Sequence, residues 1–335
     1  MTTGPSVPPA RGAKWPFHLG KSGFVGNVLL VDGGNEVTQR PLHVAVCFLA
    51  FDRHHLVRLC LERLLRFLPE GWDLRVWQDG EHETHSGNIV GDAARIQRNL
   101  AYYAAKNLAV DHEPGRNRGI ALTYWSAERW AFETMQADIG IFIEDDIVVG
   151  EQFFPAMASL ARIARNDPRV GAFSAYGHSG AHCATQWLLR NWLTPMHHRW
   201  GYGITRDYWQ RTKQDYEAYL RILEGHDYRD RPDPEIKKWI ASLGGNLWLR
   251  RITSQDGART AIMLKLGCFS IMTTPSYAVN IGKRGVHFKP ISYLRNRNSM
   301  KGRHAFFPWP VNLAPRLSAF SALWLNLRSR WFLYW

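Results

Sequence analysis

Three consecutive carboxylates, Glu144, Asp145 and Asp146, interrupt an apolar run in the segment IFIEDDIVVG at residues 141–150. Carboxylates at the end of a buried strand repel one another and lose hydration, which is costly unless a positive group lies against them. Oxygen ligands of this kind suit Mg2+ or Mn2+. This acidic triplet therefore predicts a divalent cation site. A solvated acidic turn is the alternative.

Polar residues also follow two earlier predicted strands. Arg53 comes after the apolar run HVAVCFLAF (43–51), and Asp79 lies near the end of LRVWQDG (74–80). Segments with helical spacing separate these strands, which is the pattern of an open α/β sheet. Ligands bind outside the carboxyl ends of the strands in such sheets. We expect Asp52, Arg53, Asp79 and the acidic triplet to converge there. In place of a ligand contact, Arg53 could form a salt bridge with Asp52 at the start of the helix.

The composition indicates a globular protein with a basic surface. Lys and Arg number 42 against 29 Asp and Glu, a net charge of +13, which suits a phosphorylated substrate, anionic lipid or nucleic acid. Because the sequence carries no nucleic-acid recognition motif, a nucleic-acid partner is not expected. The four scattered cysteines fit a reducing compartment, and the N-terminal segment shows no export signal. We expect a cytoplasmic location.

Five segments occur in an order that resembles a known family: FLAFDRHHLVRLCLERLLR, VWQDGEHE, IFIEDDIVVGEQFF, WGYGITRDYW and NIGKRGVHF. The chain resembles inverting glycosyltransferases of the N-acetylglucosaminyltransferase I type and their bacterial sugar-nucleotide transferase relatives. The resemblance implies an α/β GT-A catalytic domain with a mixed central sheet over residues 43–288. An N-terminal arm with a candidate hairpin (1–42) precedes it, and a basic aromatic tail (289–335) follows it.

The resemblance also implies roles for residues around the nucleotide-sugar donor. Arg53 and Asp79 would contact the nucleotide, while Glu144 and Asp145 would orient the ribose and the donor sugar. Asp146 matches the direct ligand of Mn2+ or Mg2+.

The glycine-flanked loop NIGKRGVHF would close over the donor. The resemblance places Lys283 and Arg284 near the diphosphate and makes His287 a candidate metal ligand, with an ordinary surface histidine as the alternative. Members of the family often carry a histidine near position 127, where this chain has Ala127. One donor contact of the family is therefore missing or replaced.

The resemblance makes Asp256 the candidate catalytic base, because it lies at the family's spacing before Gly282. Its place at the start of a predicted helix (257–266) fits a capping residue equally well. The family pairs this aspartate with a preceding tryptophan, whereas this chain has Gln255. Both interpretations of Asp256 stay open.

Aromatic residues mark two further candidate surfaces. In WGYGITRDYW, the resemblance implies an acceptor wall in which Trp200 and Tyr202 stack on a sugar face. The tail AFSALWLNLRSRWFLYW (319–335) mixes aromatic residues with Arg. That mixture suits the headgroup zone at the inner face of a membrane, where a lipid-linked acceptor would lie. A terminal helix packed on the catalytic domain is the alternative.

These residues together imply a metal-dependent inverting glycosyltransferase, either a hexosyl- or an N-acetylhexosaminyltransferase. It would move a sugar from a nucleotide donor, with a UDP-sugar expected, to a hydroxyl of a glycan or lipid-linked glycan. A sugar-nucleotide nucleotidyltransferase would normally show a Gly-rich basic loop after the first strand, which FLAFDRHH lacks. A non-catalytic binding or assembly protein of the same fold remains an alternative.

Overall fold

The computed structural model describes residues 41–177, 183–196, 198–245, 249, 252–282, 313 and 317–332. Within these residues the chain forms an eight-stranded sheet and two small two-stranded sheets. The N-terminal arm and its candidate hairpin lie outside the described residues, apart from positions 41 and 42.

The strands are β1 (Val44–Ala50), β2 (Asp73–Gln78), β3 (His82–Glu83), β4 (Val110–His112), β5 (Arg116–Asn117), β6 (Ile139–Glu144), β7 (Ile147–Val149), β8 (Val170–Ser174), β9 (Leu193–Pro195), β10 (Tyr202–Thr205), β11 (Phe269–Thr273) and β12 (Ala278–Asn280). The helices are α1 (His54–Phe67), α2 (Ala93–Ala105), α3 (Gly119–Arg129), α4 (Phe153–Asn166), α5 (Cys183–Leu188), α6 (Arg206–Leu223), α7 (Asp233–Ser242), α8 (Gln255–Lys265) and the C-terminal helix (Ala319–Phe332). A π-helical turn (Trp130–Thr134) extends α3, and a 3-10 turn (Tyr228–Asp230) precedes α7.

The large sheet is mixed, in the order β4-β2-β1-β6-β10-β8-β11-β9. Its first four strands are parallel, whereas β10 runs antiparallel to both of its neighbours. All seven residues of β1 are buried, as expected for a continuous apolar run in a central parallel strand. The predicted α/β class with a mixed central sheet is confirmed.

Helix α1 forms because its apolar residues recur at helical spacing. Val57, Cys60, Leu61 and Leu64 are buried along one face, which packs toward the sheet. The helix ends at Phe67, and the next residue is extended, because the ring of Pro69 disfavours helical backbone before it. The sequence predicted this end correctly.

The short strand β10 was not predicted. Its four residues lie inside WGYGITRDYW, the segment expected to form an acceptor wall. Tyr202 pairs with Phe142 on one side and with Ser174 on the other. A side chain at Gly203 would place its Cβ 2.6 Å from the Phe173 ring, so glycine is needed where β10 enters the sheet.

A small antiparallel sheet places a later part of the chain beside the acidic triplet. Strand β12 pairs with β7, which begins immediately after the triplet, and Asn280 lies opposite Ile147. The backbone N–H of Ile281 donates to the carbonyl of Asp146 at 2.8 Å. Gly282, the last described residue before the basic loop, is therefore held beside the triplet.

The C-terminal helix packs on β9 and β11. Ala322 and Leu325 are buried in that contact, whereas Leu323 and Leu327 are exposed. On this face the alternative given for the tail, a terminal helix that packs on the rest of the protein, is the one observed. Among the described helices, none is long and apolar enough to cross a membrane.

Candidate active site

The carboxyl ends of three neighbouring parallel strands form the floor of the candidate site. Ala50 of β1 lies beside Gln78 of β2, and Leu49 lies beside Glu144 of β6. Arg53 and Asp79, which follow two of these ends, therefore reach the same edge of the sheet as the acidic triplet. Parallel strand order brings them together, as predicted.

Arg53 binds two carboxylates of the triplet. Its Nη1 donates to Asp146 Oδ2 at 2.9 Å, and its Nη2 donates to Asp145 Oδ1. The backbone N–H of Phe51 also donates to Asp145 Oδ2 at 3.2 Å. Arg53 thus pairs with the triplet, and no salt bridge to Asp52 is formed among the described residues. The nucleotide contact of Arg53 stays a prediction. The solvated-turn alternative also fails, since Asp145 is 2% exposed.

The electrostatics of the triplet favour a cation. Burial, opposed in part by Arg53, raises the pKa of Asp145 to about 6. Burial and the charge of Asp146 raise the pKa of Glu144 to about 8, although Tyr124 donates a hydrogen bond to Glu144 Oε1 at 2.9 Å. One guanidinium therefore leaves part of the negative charge of the triplet uncompensated.

Asp146 has a free oxygen that fits a metal ligand. Its Oδ1 is buried and has no hydrogen-bond partner among the described residues. A Cβ at Gly282 would lie 2.4 Å from Asp146 Oδ2, so only glycine leaves room around this carboxylate. An unpartnered buried carboxylate oxygen is costly unless a cation binds it. The residues present therefore fit Mg2+ or Mn2+ held through Asp146.

A second group of acidic residues, which the sequence did not predict, lies between β3 and the 3-10 turn before α7. Oxygens of Glu83, Asp227 and Asp230 lie within 4.8 Å of one another. Asp227 accepts hydrogen bonds from the backbone N–H groups of His85 and Ser86, at 2.9 and 2.8 Å. This group therefore holds the loop after β3 against the 3-10 turn.

Asp79 lies at the predicted edge of the sheet, but its carboxylate oxygens already accept hydrogen bonds from the backbone. Its Oδ1 accepts from Arg118 N–H at 2.7 Å and its Oδ2 accepts from Gly119 N–H at 3.1 Å. Burial raises the pKa of Asp79 to about 6 despite these bonds. Asp79 therefore fixes the start of α3. Arg118 carries no signal in the sequence that predicts a site residue. Its Nη1 contacts Asp111 Oδ1 at 2.6 Å, while its Nε and Nη2 are buried without partners among the described residues.

Asp256 lies in the first turn of α8, which brings it toward the triplet. The N-cap position of α8 belongs to Ser254, so the capping interpretation of Asp256 is wrong. Asp256 is solvent-accessible, yet the protein surrounding it raises its pKa, with Arg199 and Arg259 acting in the opposite direction. Its charge also raises the pKa of Glu144.

Trp200 and Tyr202, the two predicted acceptor contacts, differ in how far they are buried. Tyr202 is fully buried, with ring centroids 5.8 Å from Tyr124 and 5.5 Å from Phe142. The Arg199 guanidinium carbon also lies 5.5 Å from the centroid of the Tyr202 ring. The prediction that Tyr202 stacks on a sugar is therefore wrong, because the side chain is 0% exposed and leaves no ring face open to a ligand. Trp200 is partly exposed and stacks on His198 at 5.0 Å between ring centroids.

The remaining predicted contacts fall outside the described residues or are absent. Lys283, Arg284 and His287 lie outside the described residues; Gly282, beside Asp146, is the last described residue before them. Ala127 is buried in the core under β1, where its carbonyl accepts from Cys47 Sγ at 3.6 Å. Position 127 therefore supplies no donor contact in this chain.

Two solved structures resemble the chain at low similarity. The mannosyltransferase PcManGT from Pyrobaculum calidifontis, in complex with GDP-Man and Mn2+, has 14% sequence identity and a TM-score of 0.35; the match covers 90% of this chain and 88% of that chain. Glucosyl-3-phosphoglycerate synthase from Mycobacterium tuberculosis, in complex with Mg2+ and UDP, has 14% identity and a TM-score of 0.32, over 50% of this chain and 57% of that chain. No protein-family model matches the chain. At these scores neither likeness decides function, so a functional conclusion has to rest on the site residues.

Proposed function

We propose that the protein is a metal-dependent glycosyltransferase that moves a sugar from a nucleotide donor to a hydroxyl of a glycan or lipid-linked glycan. One observation carries the proposal: the buried Asp146 Oδ1 has no partner among the described residues, beside Arg53 at the carboxyl edge of parallel strands. The five sequence segments that resemble GT-A glycosyltransferases support the same function, with a UDP-sugar as the expected donor.

Donor binding is assigned to the acidic triplet and Arg53. A divalent cation held by Asp146 would neutralise charge on the leaving diphosphate. Arg53 is 22% exposed at its side chain, so its guanidinium is accessible to a phosphate oxygen at the mouth of the site. We assign Lys283 and Arg284 to the same diphosphate and His287 to the metal, by resemblance alone.

We assign to Asp256 the role of the base that accepts the proton of the acceptor hydroxyl. The hydroxyl oxygen forms a bond to the anomeric carbon while the bond from that carbon to the diphosphate oxygen breaks. The electron pair leaves with the diphosphate, and the hydroxyl proton passes to Asp256. A carboxylate whose pKa is raised accepts a proton more readily than an ordinary aspartate does. This single displacement inverts the configuration at the anomeric carbon.

The C-terminal helix is assigned a contact with the membrane surface that presents a lipid-linked acceptor. Leu323 and Leu327 are 57% and 59% exposed and lie four residues apart, on the side of the helix away from the buried Ala322. Sedimentation with anionic phosphatidylglycerol vesicles tests this assignment. Wild type should sediment with the vesicles and Leu323→Ser/Leu327→Ser should not; equal sedimentation would remove the assignment.

The main experiment measures thermal stability with UDP, GDP, dTDP or CMP, each with and without Mn2+. A ligand at 100 times its dissociation constant adds about 2.7 kcal/mol of apparent stability. We expect a nucleoside diphosphate to stabilise the wild type only with Mn2+, and Asp146→Ala to lose the effect. Asp230→Ala, which removes a carboxylate from the other acidic group, is the matched control and should keep it.

Two outcomes would favour the other functions. If no nucleotide stabilises the protein in any condition, the transferase proposal fails and a binding or assembly role becomes the better explanation. If UTP and a sugar 1-phosphate yield pyrophosphate, the protein is a nucleotidyltransferase. Once a donor is found, the anomeric configuration of the product, read by NMR, tests inversion.

A further inference from the structure

Gln255 connects Asp256 to a buried ion pair. Its side chain is buried; Nε2 donates to Asp256 Oδ1 at 2.7 Å, and Oε1 accepts from Arg259 Nε at 2.9 Å. A guanidinium has donors but no acceptor, so Arg259 must face the amide oxygen. The amide nitrogen then has to point toward Asp256. The surrounding protein therefore sets the direction of this donor.

Arg259 is itself fixed on two sides. Its Nη1 donates to Glu128 Oε1 at 2.5 Å, and Glu128 is 1% exposed. The guanidinium carbon of Arg259 lies 3.9 Å from the centroid of the Tyr216 ring. Breaking a buried ion pair leaves an uncompensated charge, so this arrangement resists change. Gln255 is therefore hydrogen-bonded to a fixed ion pair, Arg259 with Glu128, which joins α8 to α3.

We propose that Gln255 is a positioning residue for Asp256: its amide holds Oδ1 and leaves Oδ2 to take the proton of the acceptor hydroxyl. The assignment of that proton to Asp256 rests on the proposed function, whereas the positioning of its carboxylate does not. Gln255 stands where the resembled transferases carry tryptophan, so the positioning role belongs to this chain and is not carried over from the family.

The hydrogen bond has an electrostatic consequence that can be measured. A donor to a carboxylate stabilises its charged form and so lowers its pKa. Other groups around Asp256 act on the same equilibrium and have to be held constant in the test. These groups are Arg199, Arg259, Glu144, Tyr124, Tyr202 and Tyr228.

The decisive measurement is the pKa of Asp256 by NMR of protein labelled with 13C at the aspartate carboxyl carbon, with the signal assigned by Asp256→Asn. Gln255→Met keeps the length of the side chain but removes both the donor to Asp256 and the acceptor of Arg259 Nε; the ion pair of Arg259 with Glu128 keeps the guanidinium in place. We expect this variant to raise the pKa of Asp256 by roughly one unit. Gln186→Met, which removes another buried glutamine amide that bonds the backbone of Ser276, should leave it unchanged.

An unchanged pKa in Gln255→Met, or an equal rise in Gln186→Met, would overturn the proposal. Should Gln255→Met fail to fold, Gln255→Glu provides the second test, because Glu keeps an acceptor for Arg259. It presents a negative oxygen to Asp256, so the pKa of Asp256 should rise further than in Gln255→Met. If it does not rise, the contact is absent and the proposal fails.

Kinetics separate this proposal from the proposed function. With a donor in hand, Gln255→Met should lower kcat, leave the donor KM within about twofold, and move the acid limb of the rate profile to higher pH. A shifted Asp256 pKa with an unchanged rate would mean that Gln255 positions Asp256 but that Asp256 is not the base. In that case the mechanism fails and the positioning role stands.

Discussion

Arg53 Nη1 donates to Asp146 Oδ2 at 2.9 Å, which joins the end of β1 to the end of β6. The two residues are 93 positions apart in the chain, and the contact leaves Asp146 Oδ1 as the oxygen without a partner. The guanidinium thus supplies one positive charge to a group of three acids, of which Asp145 and Asp146 are buried. A divalent cation would bind the same carboxylate, so Arg53 and the metal compete electrostatically.

Replacing Arg53 should strengthen metal binding in the absence of nucleotide. Arg53→Gln removes the competing charge, so we expect about tenfold tighter Mn2+ binding, the equivalent of one lost charge-assisted hydrogen bond. Electron paramagnetic resonance titration of free Mn2+ measures this affinity directly. Arg58→Gln, which removes an exposed arginine paired with Glu62, is the matched control. Weaker Mn2+ binding in Arg53→Gln would show that Arg53 supports the cation site instead.

Gly282 should be intolerant of a side chain because of Asp146. In Gly282→Ala the new Cβ would lie 2.4 Å from Asp146 Oδ2, so the carboxylate has to move. We expect Mn2+ affinity to fall at least about tenfold, with a stability loss of roughly 1–3 kcal/mol. Gly225→Ala carries backbone strain at φ +79° but meets no neighbouring atom, so it should lose stability and keep its Mn2+ affinity. Equal Mn2+ affinity in wild type and Gly282→Ala would contradict the metal site at Asp146.

Asp79 should make stability fall between mildly acidic and neutral pH. Its folded pKa of about 6 exceeds its usual 3.8, so the folded protein binds a proton more tightly than the unfolded chain. The stability from that proton is present below the unfolded pKa and is lost as pH rises through about 6. Asp79→Asn cannot titrate, so the free energy of unfolding of wild type minus variant should fall by about 3 kcal/mol between pH 3.5 and pH 7.

Urea melts of both proteins across that pH range measure the Asp79 effect. Asp92→Asn, at an exposed helix cap on α2, serves as the control for loss of an aspartate that accepts backbone hydrogen bonds. A difference between wild type and Asp79→Asn that is constant with pH would show that Asp79 titrates normally.

Tyr202→Phe should be harmless because the Tyr202 hydroxyl is buried without a partner among the described residues. Removing an unpaired buried hydroxyl is expected to be neutral or to stabilise by up to about 1 kcal/mol. Tyr124→Phe, its stacked neighbour, loses the hydrogen bond to Glu144 and should cost about 1 kcal/mol. Denaturant unfolding measures both. Loss of acceptor affinity in a stable Tyr202→Phe would restore Tyr202 as an acceptor contact.

Local patterns predicted most elements of the parallel half of the sheet. The continuous apolar run of β1 is buried at every position, and α1 follows its apolar spacing and ends before Pro69. Burial of a central strand and the period of an amphipathic helix are properties of short segments, so they can be read without knowing the fold. The same reasoning placed the acidic triplet at a strand end.

The missed features depend on neighbours far away in the chain. Strand β10 has four residues, too few to show a period, and it forms because β6 and β8 leave a place between them. Tyr202 suits a sugar face or a core equally well by residue type, and its position in β10 decided for the core. Asp79 follows its strand as expected, but the sequence did not reveal that it accepts from the backbone N–H groups of Arg118 and Gly119 at the start of another helix. Its nucleotide contact stays a prediction.

The sequence by itself determined that carboxylates would gather at the carboxyl edge of an α/β sheet, because apolar runs and the polar residues after them are local signals. Only the tertiary structure decided their partners. It paired Arg53 with Asp146 rather than with the adjacent Asp52, and it linked Asp256 through Gln255 and Arg259 to Glu128 on another helix. Such contacts join residues that are distant in the chain, so they follow from how whole strands and helices pack and not from the propensity of any one segment.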